Sequence, residues 1–371
     1  RVLLIDGHDD LLWELRAIRE RGEPEPDVGE RCDVVQTDLP RLADGGVGGQ
    51  FWSVYVPSDL EPEVAVLRTL EQIDALYRLV ARHPDRLELA RTADDVERIA
   101  AAGKVASMIG VEGGHAIGGS LGVLRILARL GAGYLTLTHN DDTPWGDAAT
   151  GEHPHGGLTA FGEEVVAELN RLGVLVDLSH VSDDVMRQAI AISRAPVLFS
   201  HSSARALCDV PRNVPDDVLE LAGRSGACVM VTFVPAFLTR EGAETNARGM
   251  DEWRRLKREH PGDPDAVGAA LDAWFAANLV HATLGDVADH VDHVREVAGI
   301  DAVGIGSDFD GAGPMPEGLE DVSRYPALFA ELTERGYSEG DRAKIAGGNV
   351  LRVMRAAEDV ARGPDPVQPR A

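Results

Sequence analysis

Two apolar runs between Val174 and His201 end alike. VLVDLSH finishes in His180, APVLFSH finishes in His201, and VSDDVMRQAIAISR between them has helical spacing. Imidazole is a common metal ligand, and two of them delivered to one rim are half of a metal site. Other apolar runs finish in residues of the same kind. VLLID leads into Gly7-His8-Asp9-Asp10, where His8 and Asp10 stand two apart and would project to one side of an extended chain. KVASMIGV delivers Glu112 into a glycine turn, YLTLT delivers His139, and AVGIGS delivers Asp308. A carboxylate leaving a buried strand is costly unless it is paired or bound to a cation. Each residue alone is weak evidence, because His-x-Asp and strand-end histidines are common. Together they are four histidines and three carboxylates, too many for one tetrahedral ion with a water. Two metal ions sharing a bridging carboxylate fit that inventory, and the matching chemistry is metal-assisted hydrolysis. Some barrels use a modified lysine as the bridge. Here Lys104 begins its strand and no lysine ends one, so Glu112 is the candidate.

These residues meet only if their strands are parallel and share one C-terminal rim. Eight strand candidates alternate with helical segments, such as Glu61 to Arg82, where apolar residues recur at helical spacing. Leu87 to Ala90 reads as a small extra strand. Thr92 with Asp95, and Ser338 with Asp341, read as capping boxes that open helices. The pattern predicts an α/β chain folded as a (β/α)8 TIM-type barrel, whose active site lies at the C-terminal strand ends. One domain is expected over residues 1–371, with a helical insertion at about 234–294 and a loose Pro-rich tail at about 363–371. His153 and His155 lie in a Gly-rich loop and read as loop surface, not ligands. Arg212 lies in a loop on the same rim as the strand ends.

The formal net charge is −26. It argues against nucleic acid and anionic membrane surfaces as partners. Three cysteines without a Cys-x-x-Cys pair exclude a disulfide scaffold and a Cys-rich zinc site, and Cys208 and Cys228 are expected as buried free thiols. No apolar run is long enough to span a bilayer, and RVLLIDGHDD has no signal-peptide pattern. A cytoplasmic location is therefore expected. Because the sequence begins with Arg, a removed leading segment stays open.

IDGHDDL, GGQFWSVYVP, KVASMIGVEGGH, YLTLTHNDDTPW, VDLSHVS, FSHSSARALC, RNVPDDVL and GIGSDFDG span nearly the whole chain. In these segments the chain resembles the membrane (renal) dipeptidase family of zinc peptidases, among the amidohydrolase-like barrels. The resemblance implies a binuclear site with two Zn2+ per chain. One zinc would be held by His8, Asp10 and Glu112, the other by Glu112, His180 and His201. It further implies that His139 contacts the substrate and polarises the scissile carbonyl, that Arg212 holds the substrate's C-terminal carboxylate, and that Asp308 moves the proton. The expected reaction is hydrolysis of dipeptides, L-Xaa-D-Xaa among them, by a metal-bridging hydroxide. The chain departs from mammalian members in its missing lipid-anchor signal, its cysteine pattern and the loop after Trp145. Expected partners are dipeptides, with a homodimer left open. The acidic balance favours a cationic residue at the substrate's N-terminal position. The alternatives are another hydrolysis at the same site (lactam opening, N-acyl amino acid hydrolysis or deamination) or a non-catalytic metal-binding protein. A free carboxylate on the substrate, recognised by Arg212, separates dipeptides from most of these.

Overall fold

A computed structural model describes residues 2–363. The expected tail at 363–371 falls almost wholly outside the described residues. Among the described residues there are nine strands: β1 (Leu4–Asp9), β2 (Val47–Tyr55), β3 (Leu87–Leu89), β4 (Val105–Glu112), β5 (Ala132–Thr136), β6 (Leu175–Asp177), β7 (Leu198–Phe199), β8 (Cys228–Val231) and β9 (Val303–Ile305). Eight of them close a parallel barrel in the order β1, β2, β4, β5, β6, β7, β8, β9, with β9 pairing back to β1. β3 is the small extra strand, added at the start of β4. This is the expected (β/α)8 architecture. Ile5, Phe51, Met108, Tyr134, Leu198 and Met230, from six different strands, belong to one buried cluster. Such a filled interior is what an eight-stranded barrel requires.

Helices pack between the strands. The boxes at Thr92/Asp95 and Ser338/Asp341 both form, and a third, Thr283/Asp286, opens the helix Leu284–Ala298. The stretch expected as an insertion holds three helices: Arg240–Glu259, Pro264–Ala277 and Leu284–Ala298. The last lies against β8 and β9 in the barrel's outer ring, whereas the first two pack on each other.

Strand ends differ from the expected ones by a few residues. β1 runs on through His8 to Asp9, while β6 stops at Asp177 and β7 at Phe199, short of their histidines. The cause lies at the rim, where side chains take over the hydrogen bonding. Asp177 Oδ1 accepts from Ser200 N at 2.8 Å and from Ser179 N at 3.3 Å, bonds that the strand ladder would otherwise make.

Candidate metal centre and active site

Five strands bring five donors to one buried point. Glu112, the last residue of β4, stands at the centre. Its Oε1 lies 3.1 Å from His180 Nε2, 3.5 Å from His201 Nε2 and 3.6 Å from His139 Nε2. Its Oε2 faces the other way, 3.5 Å from His8 Nε2, and accepts from Ser53 Oγ at 3.0 Å. His8 Nε2 is also 3.2 Å from Asp10 Oδ2 and 4.0 Å from Asp308 Oδ1. Thus all seven residues expected from the strand ends come together. His8 and Asp10 meet by a different route from simple strand alternation. Asp10 has left the strand and sits at the start of the helix Leu11–Glu20, with φ −98° and ψ 18°. His180 (φ 67°) and Asp308 (φ 69°) occupy left-handed backbone, a conformation that side chains other than glycine adopt at a cost and that gathers at functional sites.

The electrostatics suit a cation. Burial resists the charge on Glu112, but His8 and His139 outweigh it and hold its carboxyl well below the usual range. Burial pushes the pKa values of His180 and His201 well down, and Arg212 adds to both shifts. Burial likewise lowers His139, to about 4. These imidazoles are therefore neutral near pH 7, the form that ligates metal. His180 Nε2 and His201 Nε2 face each other at 3.0 Å, and His8 Nε2 is buried with no hydrogen-bond partner. The neutral His180 and His201 thus turn two nitrogens toward one point, an arrangement that a cation resolves. The three sets His8–Glu112–His201, Glu112–His139–His180 and His8–Asp10–Asp308 each keep their ligand atoms within 4.8 Å of one another.

Arg212 arrives from the loop after β7 and is buried. Its Nη2 donates to the carbonyl of His201 at 3.4 Å, its guanidinium carbon lies 5.3 Å from the Phe237 ring centroid, and Nη1 has no hydrogen-bond partner. Burial lowers its pKa to about 10. His153 and His155 stay out of the cluster. Their Nε2 atoms bond the carbonyls of Ala148 and Thr143, at 2.7 and 3.0 Å, and pin their own loop. Lys104 pairs with Glu88 at 3.1 Å. Cys208 and Cys228 are buried and free, as expected.

A family model described as membrane dipeptidase (Peptidase family M19) matches residues 1–365. The chain belongs to the membrane dipeptidase family. It is a dipeptide-hydrolysing metalloenzyme. Among curated relatives, Dipeptidase 3 of Mus musculus is 40% identical over 98% of this chain, and Dipeptidase 3 of Macaca fascicularis is 43% identical over 96%. The chain spans 67% and 65% of the lengths of these two relatives. Among solved structures, a probable dipeptidase from Pseudomonas aeruginosa has a TM-score of 0.83 at 26% identity, with 97% of this chain and 96% of that one covered. A metallo peptidase from Rhodobacter sphaeroides, liganded with a phosphinate mimic of L-Ala-D-Ala, has a TM-score of 0.79 at 27% identity, covering 96% and 99%. Among the described residues no helix is long and apolar enough to cross a membrane.

The dipeptidase site also contains residues that sequence reading passed over. Asp6, Ser53, Tyr134 and Ser200 each bond to a cluster residue or its backbone, and Asp177 accepts from Ser200 behind them. A signal for two of them was present, since LLIDGH and VLVDLSH each carry an aspartate inside an otherwise apolar run. An unpaired carboxylate is not tolerated there, so each had to have partners.

Proposed function

We propose that this enzyme is a binuclear zinc dipeptidase, with Glu112 shared between the two ions, His8 and Asp10 on one side, and His180 and His201 on the other. The opposed directions of the two Glu112 oxygens support the shared role. Bound zinc supplies a water acidified to near neutrality and a Lewis acid for the scissile carbonyl. The remaining steps fall to protein groups. Burial, then the nearby Asp10 and Glu112 charges, push Asp308 up to about 8 against the opposing pull of His8. A metal cation beside it favours the charged form, and as a carboxylate Asp308 would take a proton from the attacking water and hand it to the departing amine. Neutral His139, exposed for only 12% of its side chain, donates a hydrogen bond to the carbonyl oxygen as negative charge grows there.

One observation carries the choice of a dipeptide over other amides. Arg212 is a buried guanidinium beside the histidines, and its Nη1 has no partner. A substrate carboxylate one residue beyond the scissile bond gives it one, through a planar two-point contact that lysine cannot reproduce. The relative liganded with an L-Ala-D-Ala mimic supports extending the substrate range to a D-residue at the C-terminal position. The test is a panel of L-Xaa-L-Xaa and L-Xaa-D-Xaa dipeptides with their C-terminal amides. Free dipeptides should turn over, and amidation should lower kcat/KM by about tenfold to a hundredfold, the worth of a charge-assisted pair. Equal turnover of acids and amides would move the preference to other amides.

A further inference from the structure

His201 and His8 both turn Nε2 toward Glu112, and each is held from behind at Nδ1 by a different partner. His201 Nδ1 lies 2.8 Å from Ser200 Oγ, which donates to Asp177 Oδ2 at 2.7 Å. Asp177 also accepts from Thr136 Oγ1 at 2.5 Å and from the backbone N–H groups of Ser200 and Ser179. All four neighbours of this carboxylate are donors. The Ser200 proton is therefore committed to Asp177, and its oxygen accepts from His201 Nδ1–H. That leaves Nε2 of His201 as the bare nitrogen. His8 Nδ1 lies 2.8 Å from the Tyr134 hydroxyl, which donates to the carbonyl of Gly7 at 3.2 Å. With the Tyr134 proton on the Gly7 carbonyl, its oxygen accepts from His8 Nδ1–H, and Nε2 is the nitrogen left to face Asp10 and Glu112. His180 and His139 have no partner at Nδ1.

The fold makes room for both anchors. A side chain at Gly110 would collide with the Tyr134 ring, so only glycine lets that ring pass β4 to reach β1. A Cβ on Gly306 or Gly7 would run into the Ser200 carbonyl, so these glycines let the end of β7 close in. We propose that Ser200, oriented by Asp177, and Tyr134 are separate positioning residues for the two metal ions. Ser200 serves the ion held by His180 and His201, and Tyr134 the ion held by His8 and Asp10. This rests on the two-ion reading above. The rings of His8 and His201 stack at 3.8 Å, so what is separate is the anchoring and not the space. Outer hydrogen bonds of this kind fix the tautomer and orientation of a ligand.

The test is zinc titration of the metal-free full chain against a chromophoric chelator, starting with wild type. Where wild type binds two ions, Ser200→Ala should weaken one of them by about 10- to 100-fold and Tyr134→Phe should weaken the other by a similar factor. Ser200→Thr keeps the hydroxyl and should restore most of the first loss. The melting temperature of each metal-free variant separates lost anchoring from lost folding. If Ser200→Ala does not fold, Ser200→Cys, of similar size but a weak acceptor, takes its place. Losses falling on the same ion in both variants, or a folded Ser200 variant with wild-type affinities, would overturn the proposal. A wild type that binds a single ion would overturn the two-ion reading and the separate anchoring with it.

Discussion

Glu112 is where a single atom change should be felt twice. Its two oxygens face different histidines, so Glu112→Gln removes charge from both metal positions at once. Both zinc affinities should fall in a chelator titration, whereas a variant that loses only one ion would make Glu112 an ordinary one-sided ligand. Asp308→Asn tests the proton role. The variant should keep most of its metal and lose turnover mainly in kcat, and purification metal-free would mean that Asp308 is a ligand. The pKa of Asp308 near 8 has a further consequence in the metal-free protein. The carboxyl is mostly protonated at neutral pH, and a nearby cation favours its charged form. Metal uptake should therefore release a proton, and apparent affinity should rise as pH approaches about 8. Calorimetry in buffers of different ionisation enthalpy reads this directly, and buffer-independent heats would contradict it. All seven cluster residues were legible because each interrupts or ends an apolar run, where a polar side chain needs a reason. Ser53, Tyr134 and Ser200 were not, since serine and tyrosine sit in buried strands without signalling a partner. Their roles depend on which strands become neighbours.

At the scale of the element, the site depends on how closely β1, β7 and β9 approach one another. Gly306 follows β9, and a side chain there would meet the Ser200 carbonyl, which is backbone and cannot swing away. Gly306→Ala should cost about 1–3 kcal/mol by overpacking and should reduce zinc affinity as well. Chemical denaturation with and without zinc measures both effects, and a variant as stable as wild type would mean that the strand ends yield easily. The strands were easy to find in the sequence because parallel strands buried on both faces are continuous apolar runs. Their last residues were not, because at the rim Asp6 and Asp177 take over hydrogen bonds that the ladder makes elsewhere. Helix starts at Thr92 and Ser338 were legible from their side-chain caps. The helix Leu284–Ala298 opens in the same way, on the box of Thr283 and Asp286.

For the whole molecule, the net charge of −26 sets the field in which a substrate arrives. A cavity of about 480 Å³ reaches Gly311, beside Asp10 and Asp308, and is lined by Glu14, Asp33, Asp310, Glu320 and Asp321, with Arg41 paired to Asp38 and Asp321. Dipeptides with arginine or lysine at the N-terminal position should have a higher kcat/KM than uncharged ones of similar size, and the advantage should shrink as salt screens the field. An unchanged ratio between low and high salt would leave the acidic surface with solubility alone. The closed barrel could be inferred from the alternation of eight strands with helices, since that pattern has few parallel solutions. The convergence of His8, Glu112, His180 and His201 on one point follows from that closure. The measurement that bears most directly on the two-ion dipeptidase is turnover of a free dipeptide as the metal-free chain receives zinc in fractions of an equivalent. Activity should rise and level off at two equivalents per chain, with the same endpoint in the bound-metal ratio. A plateau at one equivalent, or two bound ions without dipeptide turnover, would contradict it.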